Sequence, residues 1–272
     1  MTFEQKVDKA SEKNNSLLCL GLDPDLEKLP KHLLKQKNPL FEFNKKIIDV
    51  TYNLVCVYKP NIAFYEALGI EGLEQLKLTI EYIQKNYPQT PILLDAKRGD
   101  IGNTAEKYAQ SVFDYWKVDA VTVNPYQGFD SIEAYLKYKD KGIIVLCRTS
   151  NPGAADFQDL KVNGEPLYIS VAKKIIQWNK KCKNCLLFMG ATWPQQIKKV
   201  RKLAPYMLFL VAGVGAQKGE LENAITSGLR KDKKGLMINV SRSILYAGDG
   251  EDFMIQARNE AQAYKDAINS FR

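Results

Sequence analysis

The chain has 272 residues, 45% of them hydrophobic, and a formal net charge of +8, which is content for a full core and a normal length for one α/β barrel domain over 1–272. No apolar run approaches the ~20 residues that span a bilayer, and the charged opening MTFEQKVDKASEKNN lacks the apolar stretch of a signal peptide, so a cytoplasmic protein without a membrane partner is expected. The lysines are spread over helix-like segments such as KKIIQWNKK with no nucleic-acid-binding motif beside them, so they read as solvated helix faces and no nucleic-acid partner is expected.

In chain order, short runs rich in Val, Ile, Leu and Phe recur as LLCLGLD (17–23), LVCVYKPN (54–61), PILLDAK (91–97), AVTVNPY (120–126), GIIVLCRTS (142–150), CLLFMGAT (185–192), MLFLVAGVG (207–215) and GLMINVSRS (235–243). None shows the clean alternation of a half-exposed strand, and near-continuous apolar strands indicate a sheet buried on both faces. Between them lie segments with apolar residues at three- and four-residue spacing, such as EGLEQLKLTIEYIQKNY and PLYISVAKKIIQWNKK. Eight βα units in succession predict a (β/α)8 TIM barrel. A doubly wound open sheet is the rival, but no GxGxxG follows the first strand.

Each run ends in polar or small residues: Asp23, Lys59, Asp95 with Lys97, Asn124, Arg148 to Ser150, Thr192, the stretch 213–217, and Ser241 with Arg242. In this fold the chemistry sits at the C-terminal strand ends. Segment 151–166, NPGAADFQDLKVNGEP, is long for a βα loop and suits a lid over that face.

The third run ends in the most telling pattern, LLDAKRGDIGN. In a regular strand Asp95 and Lys97 would share a face, with Ala96 turned away and Asp100 in the following loop. Asn103 as N-cap with Glu106 three residues on would open the next helix with a capping box. A lysine set between carboxylates keeps its positive charge, which favours a proton donor or cation over an amine nucleophile. Taken alone, the D-x-K-x-x-D tip is equally compatible with a structural salt-bridge network at the barrel top.

Two later stretches add a second kind of site. Barrels commonly bind a substrate phosphate with the loops after strands seven and eight, through backbone N–H groups freed by glycine and a cationic side chain. GVGAQKG and NVSRS fall at those places, with Gln217 and Arg242 as the natural ligands, arginine suiting phosphate bidentately.

The five cysteines, Cys19, Cys56, Cys147, Cys182 and Cys185, are an odd set that does not suggest disulfides. The Cys182/Cys185 pair lacks a second pair of metal ligands and reads as structural.

The ordered set DAKRGDIGNTA, RTSNPGA, GVGAQ and SRSILYA resembles orotidine 5′-phosphate decarboxylase in its longer bacterial-type branch, over essentially the whole span from Asp23 to Arg242. The resemblance implies conversion of orotidine 5′-monophosphate to UMP and CO2, the last step of de novo UMP synthesis, with no metal or organic cofactor. By the same resemblance Lys97 is the proton donor to C6 of the pyrimidine and Asp95 the carboxylate beside the departing carboxyl group. Lys59 completes the charge network and contacts the ribose, which Asp23 also binds. Asp100 reaches into the neighbouring subunit's site in a homodimer with shared active sites, with Ile101 and Thr104 lining it. Ser150 bonds the pyrimidine, and Gln217 and Arg242 hold the phosphate. Ser241 stands where many relatives have glycine; the expected contact there is a backbone N–H, which either residue supplies.

One alternative is a suprafamily relative that uses Mg2+ to stabilise an enediolate, a sugar-phosphate decarboxylase or aldolase. It is expected to place a carboxylate where this chain has Lys59, a cation that would repel the metal. The other is a non-catalytic nucleotide-binding barrel, which would need neither Lys97 nor Asp95.

Overall fold

The computed structural model describes residues 1–214 and 218–272. Among these, eight strands pair in parallel: β1 (Leu18–Leu22), β2 (Val57–Pro60), β3 (Leu93–Arg98), β4 (Ala120–Val123), β5 (Gly142–Arg148), β6 (Cys185–Gly190), β7 (Phe209–Ala212) and β8 (Leu236–Val240). Their hydrogen-bonded order is β2-β1-β8-β7-β6-β5-β4-β3. Bridges from Tyr58 to Ile92 and from Asn61 to Asp95 join the two ends. The sheet therefore closes on itself, as the eightfold βα pattern predicts, and the doubly wound rival is set aside.

Two apolar layers explain the unbroken hydrophobic runs. Alternate side chains such as Cys19, Val57, Leu93, Ala120, Ile144, Leu186, Leu210 and Met237 fill the barrel interior. The intervening ones pack outward beneath the helices, so every strand is buried on both faces. The main helices run over Pro39–Thr51, Gly69–Asn86, Gly102–Gln110, Asp130–Leu136, Leu167–Cys182, Pro194–Leu203, Lys218–Gly228 and Phe253–Ser270. No helix among the described residues is long and apolar enough to cross a membrane.

The polar N-terminal segment has a role that its composition does not announce. It forms a helix, Phe3–Asn14, opened by a capping box between Thr2 and Gln5, and it plugs the N-terminal end of the barrel with Phe3 and Val7. A Cβ at residue 142 would lie 2.3 Å from the Phe3 ring, so Gly142 leaves space for that plug.

Segment 151–166 is not a structureless loop. A single 3-10 turn (Pro152–Ala154) and one helical turn (Ala155–Gln158) lead into a small hairpin that pairs Lys161–Val162 with Glu165–Pro166. Asn163 and Gly164 turn it with φ of 52° and 82°, the left-handed pair that an Asn-Gly hairpin turn requires.

The expected capping box at Asn103 and Glu106 does not form. Gly102 adopts φ 54° and already belongs to the helix, with Ile101 at the N-cap and no side-chain cap. Glu106 instead accepts a hydrogen bond at 2.7 Å from Nζ of Lys137, the residue that caps the C-terminal end of helix Asp130–Leu136.

Candidate active site

The polar strand ends converge at the C-terminal end of the barrel around Asp95, which is 5% exposed. Its Oδ2 accepts from Lys59 Nζ at 3.1 Å, and its Oδ1 accepts from Lys97 Nζ at 2.7 Å and from Thr122 Oγ1 at 2.8 Å. Both carboxylate oxygens are thus satisfied by donors, two of them cationic.

Burial alone would raise the Asp95 pKa. The Lys59 and Lys97 charges, with the hydrogen bonds from Lys97 and Thr122, overcome it and hold the carboxyl well below the usual range. For Lys59, 3% exposed, burial pushes the other way, but the Asp23 and Asp95 charges outweigh it and the ammonium is held above its ordinary value. Lys97 differs in being reachable: its side chain is 43% exposed, with Nζ 5.9 Å over the Phe188 ring. A permanent anion is therefore flanked by one buried cation and one solvent-accessible cation, an arrangement suited to repelling a neighbouring anionic group while offering a proton.

Asp95 and Lys97 do not meet through regular strand alternation. The β3–β4 ladder pairs Leu93 with Ala120 and Leu94 with Val121, then resumes at Arg98 with Val123. Three residues, Asp95 to Lys97, therefore bulge opposite the single residue Thr122. Lys97 sits at φ 45°, a left-handed conformation that costs a non-glycine residue on the order of 1–2 kcal/mol. Ala96 N and Lys97 N both donate to Thr122 Oγ1, at 3.0 and 2.9 Å.

The neighbouring strand ends carry the other residues singled out in the sequence. Asp23, at the end of β1 and 8% exposed, accepts from Asn61 N at 3.1 Å through Oδ1. Its backbone carbonyl accepts from Tyr246 Oη at 3.1 Å, and the same hydroxyl accepts from Asp25 N at 2.9 Å. Ser150, beyond β5, lies against Gly213, where a Cβ would stand 2.5 Å from the Ser150 hydroxyl. At φ 83°, Gly213 lets these two strand ends approach. Ser241 Oγ similarly occupies the space beside Gly21, only 1.8 Å from where a Cβ at 21 would be, so this chain accommodates its serine with a glycine on the adjacent strand. Arg242, itself exposed, opens a short helical turn, Arg242–Leu245, after β8, anchored by the buried Ile244 and Leu245. Gln217 lies outside the described residues.

Asp100, Ile101 and Thr104 make no side-chain hydrogen bond or ion pair to this cluster among the described residues. Asp100 Oδ1 accepts from Ile101 N at 2.8 Å, and among the described residues it forms no ion pair. Ile101 is 52% exposed, and Thr104 is exposed. Arg98 pairs with Glu66 and lies 5.5 Å from the Tyr108 ring centre, an outward clasp beside the same loop.

Residues that sequence reasoning left open or missed are also placed here. Arg148, fully buried, stacks 4.4 Å over Trp193, donates to Thr149 O, and bonds Asp159 Oδ2 at 2.9 Å. Gln158 Oε1 accepts from Thr149 N at 2.8 Å, so the segment 151–166 is tied to the end of β5. Thr122 and Tyr246 were not anticipated. The available signal was a hydroxyl inside the apolar run AVTV and a tyrosine just after SRS. Cys182 and Cys185 are both free thiols, Cys185 buried and Cys182 partly so, and among the described residues no cluster of His, Cys, Asp and Glu is arranged to hold a metal.

Residues 16–253 match the family model described as "Orotidine 5'-phosphate decarboxylase / HUMPS family". The orotidine 5′-phosphate decarboxylase of Cellvibrio japonicus is 51% identical over 276 residues, with all of both chains covered. That of Azoarcus sp. is 49% identical over 273 residues, again with full coverage of both. Among solved structures, the OMP decarboxylase of Leishmania donovani superposes with a TM-score of 0.86 at 36% identity, covering 100% of this chain and 98% of that one.

Proposed function

The chain belongs to the orotidine 5′-phosphate decarboxylase / HUMPS family, and on that premise we propose that its Asp95–Lys97 pair carries the conversion of orotidine 5′-monophosphate to UMP and CO2. The protein is a carboxy-lyase of pyrimidine biosynthesis. The observation that carries the residue assignment is the solvent-accessible ammonium of Lys97, bonded at 2.7 Å to a carboxylate that is itself fixed from below by Lys59.

In the proposed reaction the C6–carboxyl bond breaks, CO2 departs, and the bonding electron pair remains at C6. The Lys97 ammonium faces that developing charge, donates its proton to C6 to give UMP, and is reprotonated from solvent. Asp95 lies beside the substrate carboxylate, where repulsion at about 4 Å is worth about 4 kcal/mol at an effective dielectric of 20. That is a minor share of a barrier reduction of ~20 kcal/mol. The larger share falls to Lys97 as a preorganised cation and to phosphate and ribose binding energy used to enclose the ring.

Asp23 and Lys59 bind the ribose, Ser150 the pyrimidine, and Gln217 with Arg242 the phosphate. Asp100, half-buried, with Ile101 and Thr104, both exposed, none of them bonded to the Asp95 cluster among the described residues, serve the site of a second copy in a homodimer. A cofactor-free mechanism is supported by Lys59: a buried ammonium, held charged by two aspartates, occupies the place where a divalent cation would need an anionic ligand.

Incubating the purified protein with orotidine 5′-monophosphate tests the reading. UMP and CO2 should form in equal amounts, and failure to form UMP contradicts it.

A further inference from the structure

We propose that Thr122 is the positioning residue that sets the Lys97 ammonium against Asp95, acting through its hydroxyl on the bulge of β3. The inference rests on the decarboxylase reading of this site.

A threonine hydroxyl has one proton and two lone pairs. Here all three are committed: Ala96 N and Lys97 N donate to Oγ1 at 3.0 and 2.9 Å, and the proton goes to Asp95 Oδ1 at 2.8 Å. Because the two N–H groups occupy the lone pairs, the hydroxyl proton can point only at the carboxylate. One atom therefore fixes both members of the pair, Asp95 through its side chain and Lys97 through its backbone.

The demand for such a group comes from the bulge. A regular ladder would offer main-chain carbonyls to these N–H groups, but residues 95–97 crowd opposite a single residue of β4, and Lys97 is held at φ 45°. A left-handed lysine persists only where its surroundings over-determine it. Thr122 is well placed to do so. It is fully buried, and on its other side it stays in register with Ile144 of β5, so its Cα is fixed by the sheet. Valine has nearly the same shape but would leave two buried N–H groups without their acceptor and Asp95 without one donor.

The expected consequence is a defect in the chemical step. Substrate is gripped elsewhere, at the phosphate and ribose, whereas displacing a reacting group by about 1 Å can cost about 100-fold in rate. Kinetics of wild type, Thr122→Val, Thr122→Ala and Thr122→Ser, with kcat expressed per folded molecule from circular dichroism, test the inference. The expected result is a kcat about 100-fold lower in the valine and alanine variants with KM within about threefold of wild type, and recovery to within about fivefold in the serine variant, which keeps the hydroxyl. Wild-type kcat per folded molecule in either apolar variant, a loss confined to KM or to melting temperature, or a serine variant as slow as valine would each overturn it. If the two apolar variants fail to fold, serine alone decides, because a slow, folded Thr122→Ser enzyme contradicts the hydroxyl's role and a fast one upholds it. A wild-type protein that makes no UMP would instead overturn the decarboxylase reading.

Discussion

Lys97 Nζ lies 2.7 Å from Asp95 Oδ1, although the two residues belong to a bulge in which Lys97 is left-handed. The same carboxylate is bonded from beneath by Lys59, so the exposed cation is aimed by a pair that solvent scarcely reaches.

Replacing Lys97 by alanine should reduce kcat/KM by more than about 10^4-fold. A positioned proton donor alone is worth 10²–10⁴ and charge stabilisation about another 10²–10³. Melting temperature should change little, because the Lys97 side chain is 43% exposed and the buried Asp95 carboxylate keeps Lys59 and Thr122 as donors when Lys97 is removed. Steady-state kinetics beside thermal denaturation separate the two effects.

Asp95→Asn should behave differently, losing stability as well as activity. It leaves Lys59, 3% exposed, without its directly bonded anion, and removing one member of a buried pair costs about 3 kcal/mol. Denaturant unfolding of the substrate-free protein should show the loss, and an unchanged midpoint would argue against a coupled pair.

The acid side of the stability profile follows from the same carboxyl. Its folded pKa is depressed well below the usual value, so its contribution is fully present above the unfolded carboxylate pKa, ~4, and is lost as pH falls through the lower folded value. Unfolding free energy measured from pH 6 downward should decline more steeply in wild type than in Asp95→Asn once pH drops below about 4.

Asp159→Asn should loosen the segment 151–166. Arg148 is buried and would keep Thr149 O and the Trp193 face but lose its carboxylate partner. The expected outcome is KM for orotidine 5′-monophosphate raised about 3- to 10-fold with kcat nearly unchanged, and faster proteolytic cleavage within 151–166.

Site sharing predicts complementation. Lys97→Ala and Asp100→Ala subunits, each nearly inactive alone, should regain activity on mixing and subunit exchange, because one site of each mixed dimer has both residues intact. Absence of recovery after exchange verified by native mass spectrometry would contradict the assignment of Asp100 to a neighbour.

The barrel was legible in the sequence because strands buried on both faces must be continuously apolar, and the polar tips of β1, β2, β3, β5 and β8 stood out against those runs. The clustering of Asp23, Lys59, Asp95 and Lys97 followed from the fold. What the sequence concealed depends on contacts between distant residues: the bulge at Lys97 is held by Thr122, 25 positions away, and period-two reasoning at 95–97 assumed a regular strand. The barrel plug was hidden because the helix Phe3–Asn14 is polar overall and only a few residues, Phe3 and Val7 among them, turn inward. The helix start at Gly102 escaped notice because a left-handed glycine displaced the Asn103 cap.

The most direct measurement is the loss of orotidine 5′-monophosphate absorbance in excess EDTA, run with the wild-type protein and with Lys97→Ala. Undiminished wild-type turnover in the chelator and none with the variant is the expected result. Turnover that disappears with EDTA and returns with Mg2+, or that survives removal of the Lys97 ammonium, would contradict a reaction carried by Asp95 and Lys97.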